Sequence, residues 1–245
     1  MKNYLLKQIY RSAFYPLLFV LALWIVFFFQ SNTMYNFTKW GVLPREISGL
    51  RGIITSVFIH GDLGHIASNT IPVLVLGMLL FYFYRKIARS VFFWIWLISG
   101  LWLWIGGRND ENYPTYHIGA STLVYGLATF LFFSGIFRRH LPLMAVSSLV
   151  VFLYGSIMWG IFPLKTEISW EGHLFGAIAG VLVAFSYRKD GPKRKVYVWE
   201  EETEDDNTVA GVEEFPSEEK LSPPPTDPFT FNFIYKKNEE DQKST

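Results

Sequence analysis

A serine, two histidines and an asparagine stand at the starts of apolar segments, at positions that would suit acyl transfer. Ser121 opens one apolar run, His173 opens another, and His65 and Asn69 lie four residues apart at the start of a third. A serine hydroxyl attacks carbonyl carbon well only when a base within hydrogen-bond reach takes its proton. We therefore identify Ser121 as the candidate nucleophile and His173 as the candidate general base and acid.

An attacked carbonyl oxygen develops negative charge, which fixed hydrogen-bond donors must stabilise. The backbone N–H of Ser121 lies at a predicted helix N-terminus, where such donors point outward. His65 and Asn69 share one helix face because of their four-residue spacing, and their side chains could supply further donors. Tyr125 lies one turn after Ser121 on the same face, so we predict that it stacks on the imidazole of His173.

These residues belong to a chain with the composition of a membrane protein. Its 245 residues are 51% hydrophobic and 18% aromatic, with a mean hydropathy of +0.23. Apolar runs of roughly 17 to 25 residues are typical of helices that cross a bilayer. The sequence predicts an all-α membrane protein with six such spans, at residues 13–30, 65–84, 90–106, 121–137, 141–162 and 173–187. No predicted span contains Asp, Glu, Lys or Arg, which argues against a proton-coupled carrier or a voltage sensor.

The distribution of Lys and Arg predicts the orientation, because loops rich in these residues stay in the cytoplasm. Thirteen of them fall on the side that holds both termini, and five fall on the other side. We therefore predict a multi-pass protein of a bacterial inner membrane with both termini cytoplasmic and a long outer first loop at residues 31–64. The predicted parts are an N-terminal segment (1–12), a six-helix membrane domain (13–187) and a basic, then acidic, disordered tail (188–245).

Small residues would let the two helices that carry Ser121 and His173 approach closely. Gly172, Gly176 and Gly180 recur at four-residue spacing in the last span, a pattern typical of packed membrane helices. Gly119 has no side chain that would crowd the backbone beside Ser121.

The sequence predicts no cofactor. It contains no cysteine, and it has no phosphate-binding loop and no basic patch suited to nucleic acid. Four histidines, at positions 60, 65, 117 and 173, could instead bind a metal, but no acidic residue or cysteine nearby completes a ligand set. His60 and His117 are more simply interpreted as residues that support loops. The expected partners are transmembrane protein substrates and the lipid bilayer.

Three motifs, in order, resemble those of the rhomboid intramembrane serine proteases. They are "FIHGDLGHIASN" at 58–69, "GAST" at 119–122 and "GHLFGAIAG" at 172–180, and the resemblance extends from Leu50 to about Tyr187. It implies a six-helix rhomboid-like bundle with Ser121 as nucleophile, His173 as base, and His65 with Asn69 as oxyanion donors. It also implies that Tyr125 packs on the catalytic histidine and that Arg51 anchors the outer loop in the membrane.

The sequence departs from this pattern at two positions. Thr122 replaces the usual second glycine, which could widen the helix crossing, and Leu50 replaces a tryptophan before Arg51. We predict an intramembrane serine endopeptidase that cuts transmembrane or juxtamembrane segments of other proteins. The alternative is a non-catalytic rhomboid-like protein that binds membrane clients. A transporter is disfavoured by the absence of charge within the predicted spans.

Overall fold

A computed structural model of the chain describes residues 2–110, 112–138, 143–145, 148, 152, 160–163 and 169–190. The chain divides into two units, and the larger runs from Leu6 to Val196. Of the smaller unit, residues 1–5 and 197–245, only the first residues of one helix are described. The fold and the site below are those of the larger unit.

Helices make up the regular structure, and none of the residues described lies in a β-strand. Their bounds are α1 (Lys2–Ser31), α2 (Gly52–Thr55), α3 (Leu63–Phe83), α4 (Ala88–Gly106), α5 (Ser121–Phe137) and α6 (Trp170–Ser186). Three stretches, Leu5–Ser31, Leu63–Phe83 and Ala88–Gly106, are long and apolar enough to cross a membrane, whereas α5 and α6 are shorter apolar helices. The prediction of an all-helical membrane protein is thus confirmed at this level.

The observed bounds match the predicted span for α5 but not for α6. Helix α5 begins and ends at the predicted residues, but α6 begins three residues early, at Trp170. Glu171 therefore lies in the first turn of α6, where a carboxylate interacts favourably with the helix dipole. The predicted fifth span, 141–162, falls mostly outside the described residues, as does the predicted tail after position 190.

Helix α3 begins at a side-chain cap that fixes the orientation of its first turn. The carboxylate of Asp62 accepts the backbone N–H of His65 at 2.9 Å, as an N-cap residue does. Further along, a Cβ added to Gly77 would lie 2.9 Å from Cγ of Pro16, so α3 lies directly against α1. The cap positions the first turn of α3, which carries His65.

Helix α5 is the central helix of the described part of the chain. Its buried residues occur on every side of the helix, from Thr122 to Gly135. A helix that is apolar all round is typical of a buried position in a bundle. The start of α5, at Ser121, is therefore fixed by neighbours on several sides.

Helices α5 and α6 run parallel and touch through glycines. A Cβ added to Gly176 would overlap the carbonyl oxygen of Thr122, and one added to Gly180 would overlap that of Gly126. Only residues without a side chain allow backbones to come this close. The glycine pattern predicted for this helix thus lies at the contact that brings α6 onto α5.

The C-terminal ends of α3, α5 and α6 are joined by one buried arginine. Arg138 donates hydrogen bonds to Oγ of Ser134 and to the carbonyl oxygens of Tyr187 and Asp190. Its guanidinium lies 5.2 Å from the ring centre of Tyr84, whose hydroxyl is 2.7 Å from Oγ of Ser134. The three helices that carry the candidate site residues are therefore held together at the ends opposite the site.

The segment between α1 and α3 is compact rather than extended. It contains α2 and three short 3₁₀ helices, at Phe37–Trp40, Ile47–Gly49 and Ser56–Phe58. Val42 and His117 pair through two backbone hydrogen bonds of 2.9 and 2.8 Å. This segment is thereby attached to the loop that leads into α5.

Candidate functional site

Ser121 follows a turn that only glycine makes easily. Gly119 has a φ of +109°, a conformation that residues with a side chain rarely adopt. Space requires glycine as well, since a Cβ there would lie 2.5 Å from Nε2 of His65. The N–H of Gly119 donates to the carbonyl oxygen of Ser56 at 2.9 Å. This turn brings the first residue of α5 against the first turn of α3.

Ser121 and His173 lie within hydrogen-bond distance of each other. Oγ of Ser121 is 2.9 Å from Nε2 of His173. The other ring nitrogen, Nδ1, is 2.8 Å from the carbonyl oxygen of Gly160. A carbonyl oxygen can only accept, so Nδ1 carries the proton and Nε2 is free to accept the serine hydroxyl. The histidine is thus held in the tautomer that a general base requires.

Tyr125 packs against the face of the His173 imidazole. The rings of Tyr125 and His173 are stacked, with centroids 4.3 Å apart and planes 10° from parallel. Gly160 lies against both of them, because a Cβ there would overlap the Tyr125 hydroxyl and lie 2.8 Å from Nδ1 of His173. Stacking and the Gly160 bond together leave the ring little freedom to rotate.

The predicted oxyanion donors face the same cavity. It has a volume of about 740 Å³, and its walls include Ser121, His173, His65 and Asn69. Asn69 is 5% exposed, and its side-chain nitrogen donates to the carbonyl oxygen of His65 at 3.2 Å. Among the described residues, no group accepts the backbone N–H of Ser121. The groups predicted to act as donors therefore line the same cavity as Ser121 and His173.

Thr122 fits because the opposite position is glycine. Its Oγ1 lies 3.3 Å from where a Cβ on Gly172 would stand, and its carbonyl oxygen contacts Gly176. The threonine side chain thus fills space that Gly172 leaves open. The distance of 2.9 Å between Ser121 and His173 is reached with threonine in place.

His60 supports the backbone just before the nucleophile. Its side chain is fully buried, and Nε2 accepts the N–H of Ala120 at 3.4 Å. Burial, together with a smaller effect of the nearby His65, lowers the pKa of His60 to about 4. The ring is therefore neutral at pH 7, as an acceptor of a backbone N–H must be. This agrees with the predicted role of a loop-supporting residue.

His117 is likewise buried and neutral. Its Nδ1 lies 2.6 Å from Oγ of Ser169, and Nε2 lies 2.9 Å from the carbonyl oxygen of Arg108. Burial lowers the pKa of His117 below its usual value. The sequence did not single out Ser169 or the carbonyl group of Gly160, since neither a loop serine nor a backbone carbonyl has a distinctive sequence pattern.

Arg51 stands apart from the cavity. Its guanidinium lies 4.7 Å from the ring centre of Trp40 and donates to the carbonyl oxygen of Lys39 at 2.9 Å. Leu50, which precedes it, is 41% exposed. Arg51 therefore organises the segment between α1 and α3 rather than the reacting groups.

No metal-binding cluster is found in the part of the chain that the structure describes. Nowhere there do three His, Cys, Asp or Glu side chains come close enough to hold one ion. The four histidines considered above instead have the separate contacts just given. The chemistry of this site is that of a hydroxyl, an imidazole and surrounding hydrogen-bond donors, which suits acyl transfer.

Comparisons with known proteins identify the family of the chain. A family model described as the Rhomboid domain matches residues 47–190. An uncharacterized protein of Mycobacterium tuberculosis is 36% identical over 187 residues, which cover 73% of this chain and 75% of the relative. One of Mycobacterium leprae is 33% identical over 188 residues, which cover 73% and 72%.

A more distant relative carries a functional name. YdcA of Bacillus subtilis, named as a candidate rhomboid protease, is 26% identical over 133 residues, or 54% of this chain and 65% of the relative. The part of the chain that the family model matches contains α3, α4, α5 and α6, and it includes all the residues that line the cavity. The chain belongs to the rhomboid family.

Proposed function

We propose that the chain is an intramembrane serine endopeptidase with Ser121 as nucleophile and His173 as base and acid. The observation that carries this proposal is the 2.9 Å contact between Oγ of Ser121 and Nε2 of His173. The Gly160 carbonyl fixes the tautomer that can take the serine proton. Family membership and the name of the Bacillus subtilis relative support the same activity.

The bonds that form and break involve only the side chains of Ser121 and His173, the substrate and one water molecule. Ser121 Oγ attacks the carbonyl carbon of the scissile bond while Nε2 of His173 takes the hydroxyl proton. The carbon–nitrogen bond then breaks, and His173 gives that proton to the leaving amine. The acyl group stays on Ser121 as an ester until a water molecule, deprotonated by the same nitrogen, hydrolyses it. Nε2 of His173 returns the proton taken from water to Oγ of Ser121, so the serine is restored, and one peptide bond and one water are consumed.

Three donors would stabilise the charge on the attacked oxygen. The backbone N–H of Ser121 lies at the N-terminus of α5, and the side chains of His65 and Asn69 line the same cavity. Fixed donors of this kind act in the transition state without reorganisation. His65 and Asn69 therefore contribute to rate, whereas Tyr125 and the glycines of α6 act by positioning His173.

We place this site in a six-span membrane domain whose reacting end faces outside. The support is the excess of Lys and Arg on the opposite side and the common direction of α3, α5 and α6. Residues 1–12 and the tail from 188 onward are then cytoplasmic. The substrates are membrane proteins whose transmembrane or juxtamembrane segments enter the cavity near the outer face of the bilayer.

Covalent labelling tests the proposed activity. A fluorophosphonate probe reacts when a serine oxygen attacks phosphorus and fluoride leaves, so it reports an activated serine. We expect protein in proteoliposomes to cleave a glycine-containing transmembrane substrate, and peptide mass spectrometry to place the probe on Ser121. Fully labelled protein should no longer cleave. Cleavage that persists after complete labelling would contradict a Ser121 nucleophile, and folded protein that cuts none of several substrates would favour client binding.

Substrate choice is expected to follow helix stability. A helix must unwind before its carbonyl carbon can reach Ser121, and each glycine destabilises a helix interior by about 1 kcal/mol. A segment with two glycines and a small residue before the cut should therefore have kcat/KM about tenfold or more above its all-leucine counterpart. The matched control places the same glycines at the cytoplasmic end of the segment. Equal rates for all three segments would show that unwinding does not limit cleavage.

A further inference from the structure

His117 and Ser169 are related to the dyad residues by the same sequence offset. His117 lies four residues before Ser121, and Ser169 lies four residues before His173. Nδ1 of His117 and Oγ of Ser169 are 2.6 Å apart. A side-chain hydrogen bond thus joins the segment that leads into α5 to the residue that precedes α6. In each case the bonded residue lies four residues before the reactive one.

The direction of this bond follows from the second contact of the imidazole. The carbonyl oxygen of Arg108 accepts the N–H at Nε2 of His117, at 2.9 Å. The neutral ring therefore has an unprotonated Nδ1, which accepts the hydroxyl hydrogen of Ser169. His117 is 3% exposed and Ser169 is half-buried, so the imidazole end of this hydrogen bond is held in a buried position.

The rest of the His117 segment is also fixed. Its backbone pairs with Val42 on one side, and the side chain of Arg108 lies 3.4 Å from the carboxylate of Glu171 in the first turn of α6. The loop before α5 is therefore attached to α6 by an ion pair and by the bond from Ser169. Only the second of these connects segments that lead directly into the two reactive residues.

In the described part of the chain, the hydroxyl of Ser169 makes no hydrogen bond other than the one to His117. Ser169 stands at the N-cap position of α6, where serine commonly accepts a backbone N–H. Its side chain makes no such cap bond; it reaches His117 instead. A change at this hydroxyl therefore tests the connection to His117 rather than the stability of the helix end.

We propose that His117 and Ser169 are positioning residues that hold Ser121 and His173 at the distance needed for proton transfer. The inference rests on the proposed function, because it concerns the rate of that reaction. Neither residue takes part in bond making. Their bond stops the start of α6 from moving away from the start of α5 when a substrate enters the cavity that His117 and Ser169 both line.

The experiment compares Ser169→Ala with wild type in the same proteoliposomes. Because a misplacement of about 1 Å can cost on the order of 100-fold in rate, we expect kcat and the rate of fluorophosphonate labelling to fall roughly 10- to 100-fold. KM should change by less than about twofold, since the interaction acts on the chemical step. Ser169→Thr keeps the hydroxyl and should restore most of the rate. Ser186→Ala is the matched control, since among the residues that the structure describes that hydroxyl bonds to the Leu182 carbonyl of its own helix and to nothing else.

A double variant separates positioning from general damage. His117→Phe removes the bond to Ser169 and also the bond to the Arg108 carbonyl, so it should lower the rate at least as much as Ser169→Ala does. The double variant should be no worse than His117→Phe alone, because that variant already lacks the bond to Ser169. Wild-type rates in Ser169→Ala, or independent losses that multiply in the double variant, would overturn the inference while leaving the proposed function intact. A wild type that neither cleaves nor takes up the probe would instead overturn the proposed function and the inference with it.

Discussion

Replacing Ser121 or His173 with alanine is expected to lower kcat/KM for a transmembrane substrate by about 10⁴-fold or more. Loss of a nucleophile or its base costs on the order of 10⁴- to 10⁶-fold in serine hydrolases. The two residues work as a unit here, since Oγ of Ser121 and Nε2 of His173 share one hydrogen bond. The double variant should therefore be as inactive as either single one. The measurement is the initial rate of product formation in proteoliposomes.

Ser68→Ala is the control for loss of a hydroxyl in the same cavity. Ser68 lines that cavity, but its Oγ donates to the carbonyl oxygen of His65 within its own helix, at 2.8 Å. Its removal should leave the rate near that of wild type. A Ser121→Ala protein that retains cleavage while Ser68→Ala loses it would mean that the wrong serine had been identified.

Gly176→Ala is expected to produce the second-largest effect, through distance rather than chemistry. The added methyl group would overlap the carbonyl oxygen of Thr122, and a backbone atom cannot rotate away as a side chain can. Helix α6 must then move from α5, which separates His173 from Ser121. Overpacking of this kind costs about 1–3 kcal/mol, and a shift near 1 Å can cost about 100-fold in rate. We expect a loss of about 100-fold in kcat with a lower thermal midpoint.

The same substitution at Gly61 provides the control. A Cβ at Gly61 would meet nothing within 4 Å, so Gly61→Ala adds a methyl group without displacing a helix. Its thermal midpoint and cleavage rate should match those of wild type. If Gly176→Ala behaves in the same way, the contact between α5 and α6 is softer than the glycine spacing implies.

The bounds of a helix could be predicted from the sequence when the helix begins and ends with its apolar run. Helix α5 matches its predicted bounds because its first polar residue, Ser121, is also its first helical residue. Helix α6 extends beyond its apolar run, since Glu171 is buried in its first turn beside Arg108. Apolarity marks where a chain avoids water, whereas a helix continues as long as its backbone bonds are satisfied.

The compact segment between α1 and α3 was not predictable from periodicity. Its helices have only three or four residues, too few to show a repeating apolar face. Their positions depend on contacts far along the chain, such as the pairing of Val42 with His117. A prediction based on local sequence pattern alone therefore assigns this segment as a loop.

The candidate site was predictable to the extent that side-chain type indicates chemistry. Ser121, His173, His65 and Asn69 could each be identified because hydroxyl, imidazole and amide groups are costly to keep in an apolar setting. The group that orients His173 could not be identified, since the acceptor is the backbone carbonyl of Gly160 and every residue has one. The roles assigned to these residues remain predictions that the variants above will test.

Thr122 and Gly172 share one small volume, which has a consequence for how this site can evolve. A Cβ on Gly172 would lie 3.3 Å from Oγ1 of Thr122 and 3.0 Å from Oγ of Ser169, so a larger residue at 172 is crowded while threonine remains at 122. A change of Thr122 to glycine first removes one of these obstacles and costs only packing. The two positions are therefore coupled, and a side chain at 172 is accommodated more easily once Thr122 has been replaced by glycine.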